Sequence, residues 1–289
     1  MSKDTRAEWD IVIRPRKRWF DIDLKGLVQY RDLIWLLVKR YFTLIYRQTV
    51  LGPLWILLQP LLTTTIFTVV FGGIAGLPTD GMPRFLFYMA GSILWQFFSK
   101  CLTETSNTFI GHRNLFGKVY FPRLCMPIST VLGQMINFLV QFVVFVGRVL
   151  FYATRPGTAV RPNWRLILLT PLMLVQLGLL GLGFGIIVSA LTTRYRDLAM
   201  LVSFGTHLWM YFSPVTYASS MVSERYPLFA GVYQLNPITP VIDLFRASWL
   251  GAGQAQPVYC LISVITTLIA LLLGVVLFSR TEKTFMDTV

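Results

Sequence analysis

Residues 166–193 read LILLTPLMLVQLGLLGLGFGIIVSALTT, a run of 28 residues without Asp, Glu, Lys or Arg. A helix needs about 20 mostly apolar residues to cross the roughly 30 Å of hydrocarbon in a bilayer, so this run is long enough to span a membrane. Five further runs of this kind occur along the chain, and together the six predict an all-α integral membrane protein. The predicted spans cover about 53–75, 85–105, 126–148, 166–191, 198–218 and 257–279.

The composition of the chain also favours a membrane protein. Of its 289 residues 55% are hydrophobic and 13% are charged, whereas soluble domains average about 25% charged residues. The net charge of +13 would suggest nucleic acid if the protein were soluble. Because most of the basic residues stand beside apolar runs, contacts with membrane lipid and a cytoplasmic orientation explain them better. We therefore expect no nucleic-acid partner.

The distribution of Lys and Arg predicts the orientation of the spans. If the N-terminus is cytoplasmic, 19 of the 26 basic residues lie on the cytoplasmic side, in accord with the positive-inside rule. The first 50 residues show no signal-peptide pattern, which agrees with both termini in the cytoplasm. One loop disagrees, because residues 148–165 carry four Arg and no acid but fall outside. Contact with lipid head groups, an anionic partner or an error in the topology would each explain this loop.

Two segments outside the predicted spans have distinct patterns. Residues 22–46 mix apolar positions at helical spacing with Lys and Arg, which predicts an amphipathic interfacial helix; the alternative is an ordinary helix packed on a partner. Residues 219–245 contain a short apolar stretch and three prolines, and predict re-entrant short helices on the outer side. The domain plan is then a cytoplasmic N-terminal segment (1–50), a transmembrane domain (51–280) and a cytoplasmic tail (281–289).

No catalytic machinery is recognisable in the sequence. The stretch from Gly111 to Lys118 looks like a P-loop, but five residues separate its glycines instead of four, and Val119 replaces the hydroxyl residue that would bind magnesium. Three distant cysteines and two histidines lack metal-site spacing. His207, in the fifth predicted span, is either a functional intramembrane group or hydrogen-bonded to a neighbouring helix. We expect no catalytic residue, no metal site and no cofactor in this chain.

Two predicted cytoplasmic loops are candidates for docking a soluble partner. Residues 107–125 alternate Phe, Leu and Tyr with His, Arg and Lys, and residues 192–198 (TTRYRDL) form the second loop. Asp197 suits the N-terminus of the fifth span, where backbone amides favour a carboxylate. Capping explains Asp197 taken alone, and the positive-inside rule explains the arginines. The arrangement of both loops on one face of the membrane is what suggests a docking site. The predicted docking residues are Phe109, Arg113, Phe116, Lys118, Tyr120, Arg123, Arg194, Arg196 and Asp197.

Four stretches in order along the chain carry a family resemblance. They are Tyr46–Trp55 (YRQTVLGPLW) with Gln59–Pro60, Lys118–Arg123 (KVYFPR), Tyr195–Leu198 (YRDL) leading to Phe212–Val215 (FSPV), and Leu235–Pro237 (LNP) with Arg246 following. With these stretches the chain resembles the membrane permease subunit of ABC-2 type polysaccharide exporters, which move O-antigen, capsule or teichoic-acid chains. The resemblance covers nearly the whole sequence.

The resemblance implies partners and a mechanism. Such permeases are homodimers in a bacterial inner membrane and work with two copies of a separate ATPase subunit, which binds ATP and Mg. Their substrate is typically a polysaccharide, such as lipopolysaccharide O-antigen, on an undecaprenyl-diphosphate lipid. The ATPase couples through the loops after the second and fourth spans, which are the two docking candidates above. A related permease for a drug or small lipid, and an integral membrane glycan-modifying enzyme, stay as alternatives.

In such permeases the first and fifth spans line part of the channel, and in this chain both spans are rich in aromatic residues. Sugar rings stack their apolar faces on aromatic rings, while their hydroxyls need polar groups. Aromatic residues at span ends are also ordinary interface anchors, so we expect at least half of them to face lipid or other helices. The predicted channel residues are Trp55, Phe67, Phe71, Phe204, His207, Trp209, Tyr211, Phe212 and Tyr217.

Overall fold

A computed structural model describes residues 24–46, 50–111, 121–155, 157–193, 195, 197–253 and 255–288. Within them all regular structure is helical, which confirms the predicted all-α class. The helices are Leu24–Gln29 (α1), Arg31–Tyr46 (α2), Gly52–Ile74 (α3), Arg84–Ser106 (α4), Thr108–Gly111 (α5), Cys125–Ala153 (α6), Trp164–Ile167 (α7), Thr170–Thr192 (α8), Leu198–Tyr211 (α9), Ser219–Arg225 (α10), Pro227–Gln234 (α11), Thr239–Trp249 (α12) and Pro257–Thr288 (α13).

Five helical segments in the described part of the chain are long and apolar enough to cross a bilayer. Each overlaps one of the stretches predicted from the charge-free runs, and the protein is therefore a multi-pass membrane protein. The five segments are Gly52–Ile74, Arg84–Ser106, Cys125–Ala153, Trp164–Thr192 and Pro257–Thr281.

The remaining predicted span, residues 198–218, is helical over only part of its length. α9 has 14 residues, which correspond to about 21 Å of helix at 1.5 Å per residue. The helix ends at Tyr211, and Pro214 soon follows; proline lacks the backbone N–H that a continuing helix would need. Because α9 alone is short for a crossing, the structure does not confirm the predicted number of six spans.

The tightly packed part of the protomer consists of α4, α8 and α13. α8 contacts both of the other helices, and it does so through glycines. A Cβ atom added to Gly181 would lie 2.6 Å from Cβ of Cys101 on α4, and one added to Gly183 would lie 2.8 Å from the backbone nitrogen of Leu271 on α13. Small residues allow membrane helices to approach closely in this way, and they fix the spacing of these three helices.

The first span and α9 are the least covered of the apolar helices. In the most apolar stretch of α3 only 11% of the residues are buried, against 78% in α4. α3 is also irregular, because Pro60 lies inside it and its end, Thr68–Ile74, is a π-helix, a geometry often found at functional sites. In α9, Thr206 is the one buried residue. The protomer thus leaves most of the surface of these two helices open.

The N-terminal helices α1 and α2 pack against the spans of the same chain. Leu37 of α2 is buried in a cluster that includes Phe109 and Phe278. The apolar stripe of the predicted amphipathic helix therefore faces the bundle, while Trp35 and Leu36 are exposed on its other side. The predicted helix is present over its described residues, and its position in the membrane surface stays a prediction.

The arginine-rich loop at residues 148–165 is partly explained by stacking. The guanidinium of Arg148 lies 5.3 Å from the centroid of the Phe85 ring, and that of Arg155 lies 4.2 Å from the centroid of Phe151. A guanidinium over the face of an aromatic ring is stabilised by the quadrupole of the ring. Two of the four arginines thus have aromatic partners within the chain.

Candidate functional site

Five of the nine predicted channel residues have exposed side chains. These are Trp55 at the start of the first span and Phe204, His207, Tyr211 and Phe212 on or just after α9. Phe204, His207 and Tyr211 recur at spacings of three and four residues and so share one face of the helix. No other part of the protomer covers this face of α9 in the described structure. A surface that lines a channel or contacts a second copy of the chain must be uncovered in this way.

His207 is bonded within its own helix. Its Nδ1 atom lies 2.7 Å from the backbone oxygen of Ser203, one turn earlier, so the ring donates to that oxygen when Nδ1 carries the hydrogen. Among the described residues, no hydrogen bond from His207 to a neighbouring helix is present, so the structure does not support that interpretation. The imidazole stays on the exposed face of α9.

Three other predicted channel residues pack within the protomer. Phe67 and Phe71 meet edge to face with ring centroids 5.5 Å apart, and both contact the buried cluster that contains Tyr88 of α4. The hydroxyl of Tyr217 donates to the backbone oxygen of Tyr211 at 2.9 Å, which fastens the chain that follows α9. These three side chains are partly buried by contacts within the protomer, and their place in a channel stays a prediction.

Trp209, the ninth residue, is held between α4, α8 and the residue Asn236, which follows α11. Its ring meets Phe98 and Phe184 edge to face at 5.2 and 5.4 Å. Its indole N–H donates to Oδ1 of Asn236 at 3.1 Å, and the amide of Asn236 in turn donates to the backbone oxygen of Phe212 at 3.0 Å. Asn236 thus holds the end of α9 in place through these two hydrogen bonds. The Leu235–Pro237 pattern in the sequence did not predict this role.

An apolar cavity of about 980 Å³ lies beside α9. Ligand pockets usually measure about 300–1,000 Å³, so this one is large. One of its walls comes from α11, a segment that the sequence distinguished only as too short to span. Because its lining is almost wholly apolar, the cavity suits a hydrocarbon chain or a packed helix better than a sugar. Its walls include Phe184, Val188, Trp209, Phe212, Phe229 and Tyr233.

A buried polar cluster on α12, outside the five candidate spans, was not predicted. Arg246 is 1% exposed, and its Nη2 donates to the backbone oxygens of Val215 and Phe87 at 3.2 and 3.4 Å. The guanidinium also lies 3.6 Å from the centroid of the Phe87 ring. Nε and Nη1 of Arg246 and Oδ2 of Asp243 have no hydrogen-bond partner among the described residues. An Asp and an Arg three residues apart within VIDLFRASW were the signal available in the sequence.

Burial raises the pKa of the Asp243 carboxyl to about 6. Loss of solvent disfavours the charged carboxylate, and this outweighs the opposite effects of the Ser219 side chain and of the positive charge on Arg246. The polar cluster therefore holds a group that changes protonation in mildly acidic solution. Through Arg246 it joins α12 to α4 and to the chain that follows α9.

The predicted docking residues lie mostly outside the described part of the chain. Phe109, at the start of the first docking loop, is fully buried and stacks on Phe278 of α13 with ring centroids 4.5 Å apart. Its backbone N–H donates to the hydroxyl of Ser189 on α8 at 3.4 Å. Phe109 therefore anchors this loop to the bundle. The docking residues outside the described part are Arg113, Phe116, Lys118, Tyr120, Arg194 and Arg196.

The other two predicted docking residues are described. Arg123 is half-buried just before α6. Asp197 is exposed and stands at the N-cap of α9, as predicted, but its side chain makes no capping hydrogen bond. Its backbone oxygen instead accepts from the N–H groups of Met200 and Leu201 at 3.1 and 3.3 Å. The carboxylate is thus available to solvent or to a partner.

Comparison with known proteins shows to which family the chain belongs. Residues 32–250 match the family described as ABC-2 type transporter. The chain belongs to the ABC-2 type transporter family. It is 27% identical over 257 residues to a Klebsiella pneumoniae protein named O-antigen export system permease protein RfbA, which covers 89% of this chain and 94% of the relative. A Myxococcus xanthus protein of the same name is 27% identical over 249 residues, or 85% of this chain and 92% of the relative.

The resemblance drawn from the four sequence stretches is therefore confirmed. The ABC-2 match begins in α2 and ends just after α12. It thus includes α3 and α9 with their open surfaces, and it includes the buried cluster around Arg246. The relatives are named as permeases, which agrees with the expectation that this ABC-2 chain is a transport protein.

Proposed function

We propose that this chain is the membrane-spanning permease subunit of an ATP-driven exporter, which moves an O-antigen-like polysaccharide from the cytoplasm across a bacterial inner membrane. The observation that carries the proposal is the similarity to O-antigen export permeases over 85% or more of the chain. The polysaccharide would be attached to an undecaprenyl-diphosphate lipid. The lipid would stay in the bilayer while the glycan crosses through the protein.

The proposed topology has six crossings with both termini in the cytoplasm. α9, together with the residues up to 218, makes the fifth crossing in this topology. α2 lies at the cytoplasmic membrane surface with Trp35 and Leu36, its exposed apolar residues, directed to lipid. The short helices α10–α12 are re-entrant from the outer side in this topology, and a second copy of the chain or another partner would cover the exposed connection at Tyr226.

The proposed path for the glycan lies between two copies of the chain. In the protomer the surfaces of α3 and α9 are largely open, and a homodimer would bring these surfaces together. The exposed rings of Trp55, Phe204 and Tyr211 would then offer stacking faces to sugar rings, and His207 would offer a polar contact. Phe67, Phe71 and Trp209, which pack inside the protomer, would shape this path from behind.

The proposed motor is a separate ATPase, in two copies, which binds ATP and Mg. It would dock on residues 107–125 and 192–198, the loops that follow α4 and α8. Phe109 connects the first loop to α8 and α13, so a push on this loop would reach the tightly packed part of the protomer. Asp197, exposed at the N-cap of α9, would connect the second loop to the helix proposed to line the path.

The test is the fate of the glycan in cells and in vesicles. Deleting the gene should leave undecaprenyl-linked glycan in the cytoplasm, and the chain purified with its co-expressed ATPase should move this glycan into vesicles only with ATP. An unchanged surface glycan in the deletion strain, together with no ATP-dependent movement in vesicles, would refute the proposal. Transferase activity of the purified chain without ATP would favour the membrane-enzyme alternative instead.

A second candidate is an ABC-2 permease for a drug or a small lipid. The apolar cavity beside α9, of about 980 Å³, favours it, because such a lining suits a compound without sugar hydroxyls. Competition separates the two candidates. If hydrophobic compounds stimulate ATP hydrolysis by the reconstituted complex and glycan does not, the small-molecule function is the correct one.

A further inference from the structure

A partly buried hydrogen-bond network joins α2, α4 and α6. The hydroxyl of Tyr41 on α2 donates to Oε1 of Glu104 on α4 at 3.2 Å. The side-chain amide of Gln134 on α6 donates to the other carboxyl oxygen of Glu104 at 2.7 Å and to the hydroxyl of Tyr41 at 2.5 Å. Asn137, one turn further along α6, donates to the carbonyl of Gln134 at 3.1 Å. Three polar side chains from three separate helices thus meet in one closed triangle, the Tyr41–Glu104–Gln134 network.

The fit around Tyr41 is close as well as polar. A Cβ atom added to Gly133 would lie 3.1 Å from the Tyr41 ring, so the ring lies directly on the backbone of α6. Gly133 and Gln134 are both buried. α2 is therefore attached to α6 by van der Waals contact and to α4 by a hydrogen bond, and it has little freedom to slide along either helix.

The network lies near the first docking loop, residues 107–125. Glu104 stands in the last turn of α4, before this loop, and Gln134 stands in the third turn of α6, nine residues after it. Their 2.7 Å hydrogen bond ties α4 to α6, and the hydroxyl of Tyr41 extends this connection to α2. Phe109, a described residue of the loop, is stacked on α13. A movement of Glu104 with the end of α4 would therefore reach α6 and α2.

We propose that Tyr41, Glu104 and Gln134 are positioning residues, which transmit the movement of the docking loop at residues 107–125 to the N-terminal helix α2 during transport. This inference rests on the proposed function, because the loop must be the site on which the ATPase acts. The residues do not contact the substrate. They keep α2, α4 and α6 moving as one body.

A carboxyl group in this place is better explained by coupling than by stability. Polar and ionisable groups inside membrane proteins are expensive to bury, and well-packed apolar residues would often hold three helices together at least as firmly. Hydrogen bonds between a carboxylate and two donors, in contrast, fix both distance and direction. Fixed direction is what transmission of a movement requires.

The first test uses a reciprocal exchange in the permease reconstituted with its co-purified ATPase. Glu104→Gln keeps one acceptor oxygen for the Gln134 amide but removes the charge of the acceptor, and Gln134→Glu replaces the amide donor by a second carboxylate. The double variant Glu104→Gln/Gln134→Glu restores an amide facing a carboxylate with the direction of the bond reversed. Each single variant should lower the glycan moved per ATP hydrolysed by about tenfold, the value of one hydrogen bond to a charged group, with ATP hydrolysis itself nearly unchanged. The double variant should recover most of the wild-type ratio.

Tyr41→Phe tests the attachment of α2 separately, because it removes only the hydroxyl and keeps the ring on Gly133. Tyr30→Phe is the matched control on the turn between α1 and α2, since it makes the same chemical change outside the network. Tyr41→Phe should lower the glycan-to-ATP ratio and Tyr30→Phe should not. The partly exposed native Cys260 is first replaced by Ser, so that it does not take up label. Spin labels at Leu44→Cys and Leu132→Cys, both exposed positions on α2 and α6, should then show a broader distance distribution in Tyr41→Phe than in the same chain with Tyr41 intact.

The spin-label measurement needs neither ATPase nor glycan, so it separates this inference from the proposed function. If the wild-type complex moves no glycan but Tyr41→Phe broadens the distances, the proposed function fails and the attachment of α2 stands. If wild-type transports and the single variants lose ATP hydrolysis and transport in equal proportion, or the reciprocal exchange restores nothing, the coupling role is wrong. Unchanged distances and unchanged ratio in Tyr41→Phe would also overturn it.

Discussion

Gly183 of α8 faces the backbone of α13 so closely that a single added methyl group does not fit between the two helices. In Gly183→Ala the new Cβ would lie 2.8 Å from the nitrogen of Leu271 and 2.9 Å from the carbonyl carbon of Ala270. Ordinary van der Waals contact begins at 3.4 Å. Because both opposing atoms belong to the backbone, no side chain can rotate away, and the helices must separate by about half an ångström, which is overpacking in the usual sense.

The expected cost follows from this geometry. Overpacking of a close-packed interior costs about 1–3 kcal/mol, while replacing Gly by Ala within a helix returns up to about 1 kcal/mol of helix propensity. Gly147→Ala in α6 is the matched control, because its added Cβ meets nothing within 4 Å. The propensity gain is common to both variants, so Gly183→Ala should be less stable than Gly147→Ala by the overpacking cost of about 1–3 kcal/mol.

Thermal unfolding of the purified protein in detergent, followed by tryptophan fluorescence, measures this difference. Gly183→Ala should unfold at a lower temperature than the wild type, and Gly147→Ala at the same or a higher temperature. Gly274→Ala, whose Cβ would approach the backbone oxygen of Gly183 to 2.7 Å, should behave like Gly183→Ala. If Gly183→Ala unfolds no earlier than Gly147→Ala, the close approach of α8 and α13 is not present in the protein.

Three further predictions use the same unfolding assay. Phe109→Ala removes the ring stacked on Phe278 and should destabilise the protein by about 3–5 kcal/mol, whereas equal stability of this variant and Trp35→Ala, an exposed residue of α2, would contradict the anchoring role. Asn236→Ala leaves the indole N–H of Trp209 without its acceptor and should cost about 1–3 kcal/mol; a wild-type unfolding temperature would show that this hydrogen bond is absent. Burial raises the pKa of Asp243 from 3.8 to about 6 in the folded protein. The neutral carboxyl therefore stabilises the folded state fully at a pH below the pKa of the unfolded chain. This stabilisation is lost as the pH rises through the pKa of the folded protein. The unfolding temperature of the wild type should therefore fall between about pH 4 and pH 6 relative to that of Asp243→Asn, and parallel pH profiles would refute the shift.

The helical spans could be predicted because the bilayer imposes a local rule on the sequence. Each span must be about 20 residues of apolar chain wherever it lies. The predicted second span agrees with α4 to within one residue at each end, and the predicted fourth span ends one residue before α8 but begins four residues before it. The same rule overestimated the fifth predicted span. The charge-free run there continues past Pro214 into chain that is not helical, and hydropathy does not distinguish a helix from an apolar turn.

The side chains of the candidate site were harder to predict, because their partners are distant in sequence. Trp209 was predicted as a channel residue from its type and position alone, and the partner of its indole N–H is Asn236, 27 residues later. Phe109 looked like part of an exposed amphipathic surface, but Phe278 covers it. Composition and spacing describe the residue itself and its neighbours along the helix. Composition and spacing do not show which distant helix packs against that residue.

The uneven burial of the spans has a consequence for how such permeases diverge. α8 contacts α4 and α13 through backbone and glycine, so almost any substitution at these contacts disturbs the protomer. The open side chains of α3 and α9 contact little within the protomer, so exchanges between apolar residues there leave its internal packing unchanged. Natural variation can therefore accumulate on α3 and α9 at small cost in folding. One conserved scaffold could in this way acquire new cargoes by changing only the residues that its own fold does not use.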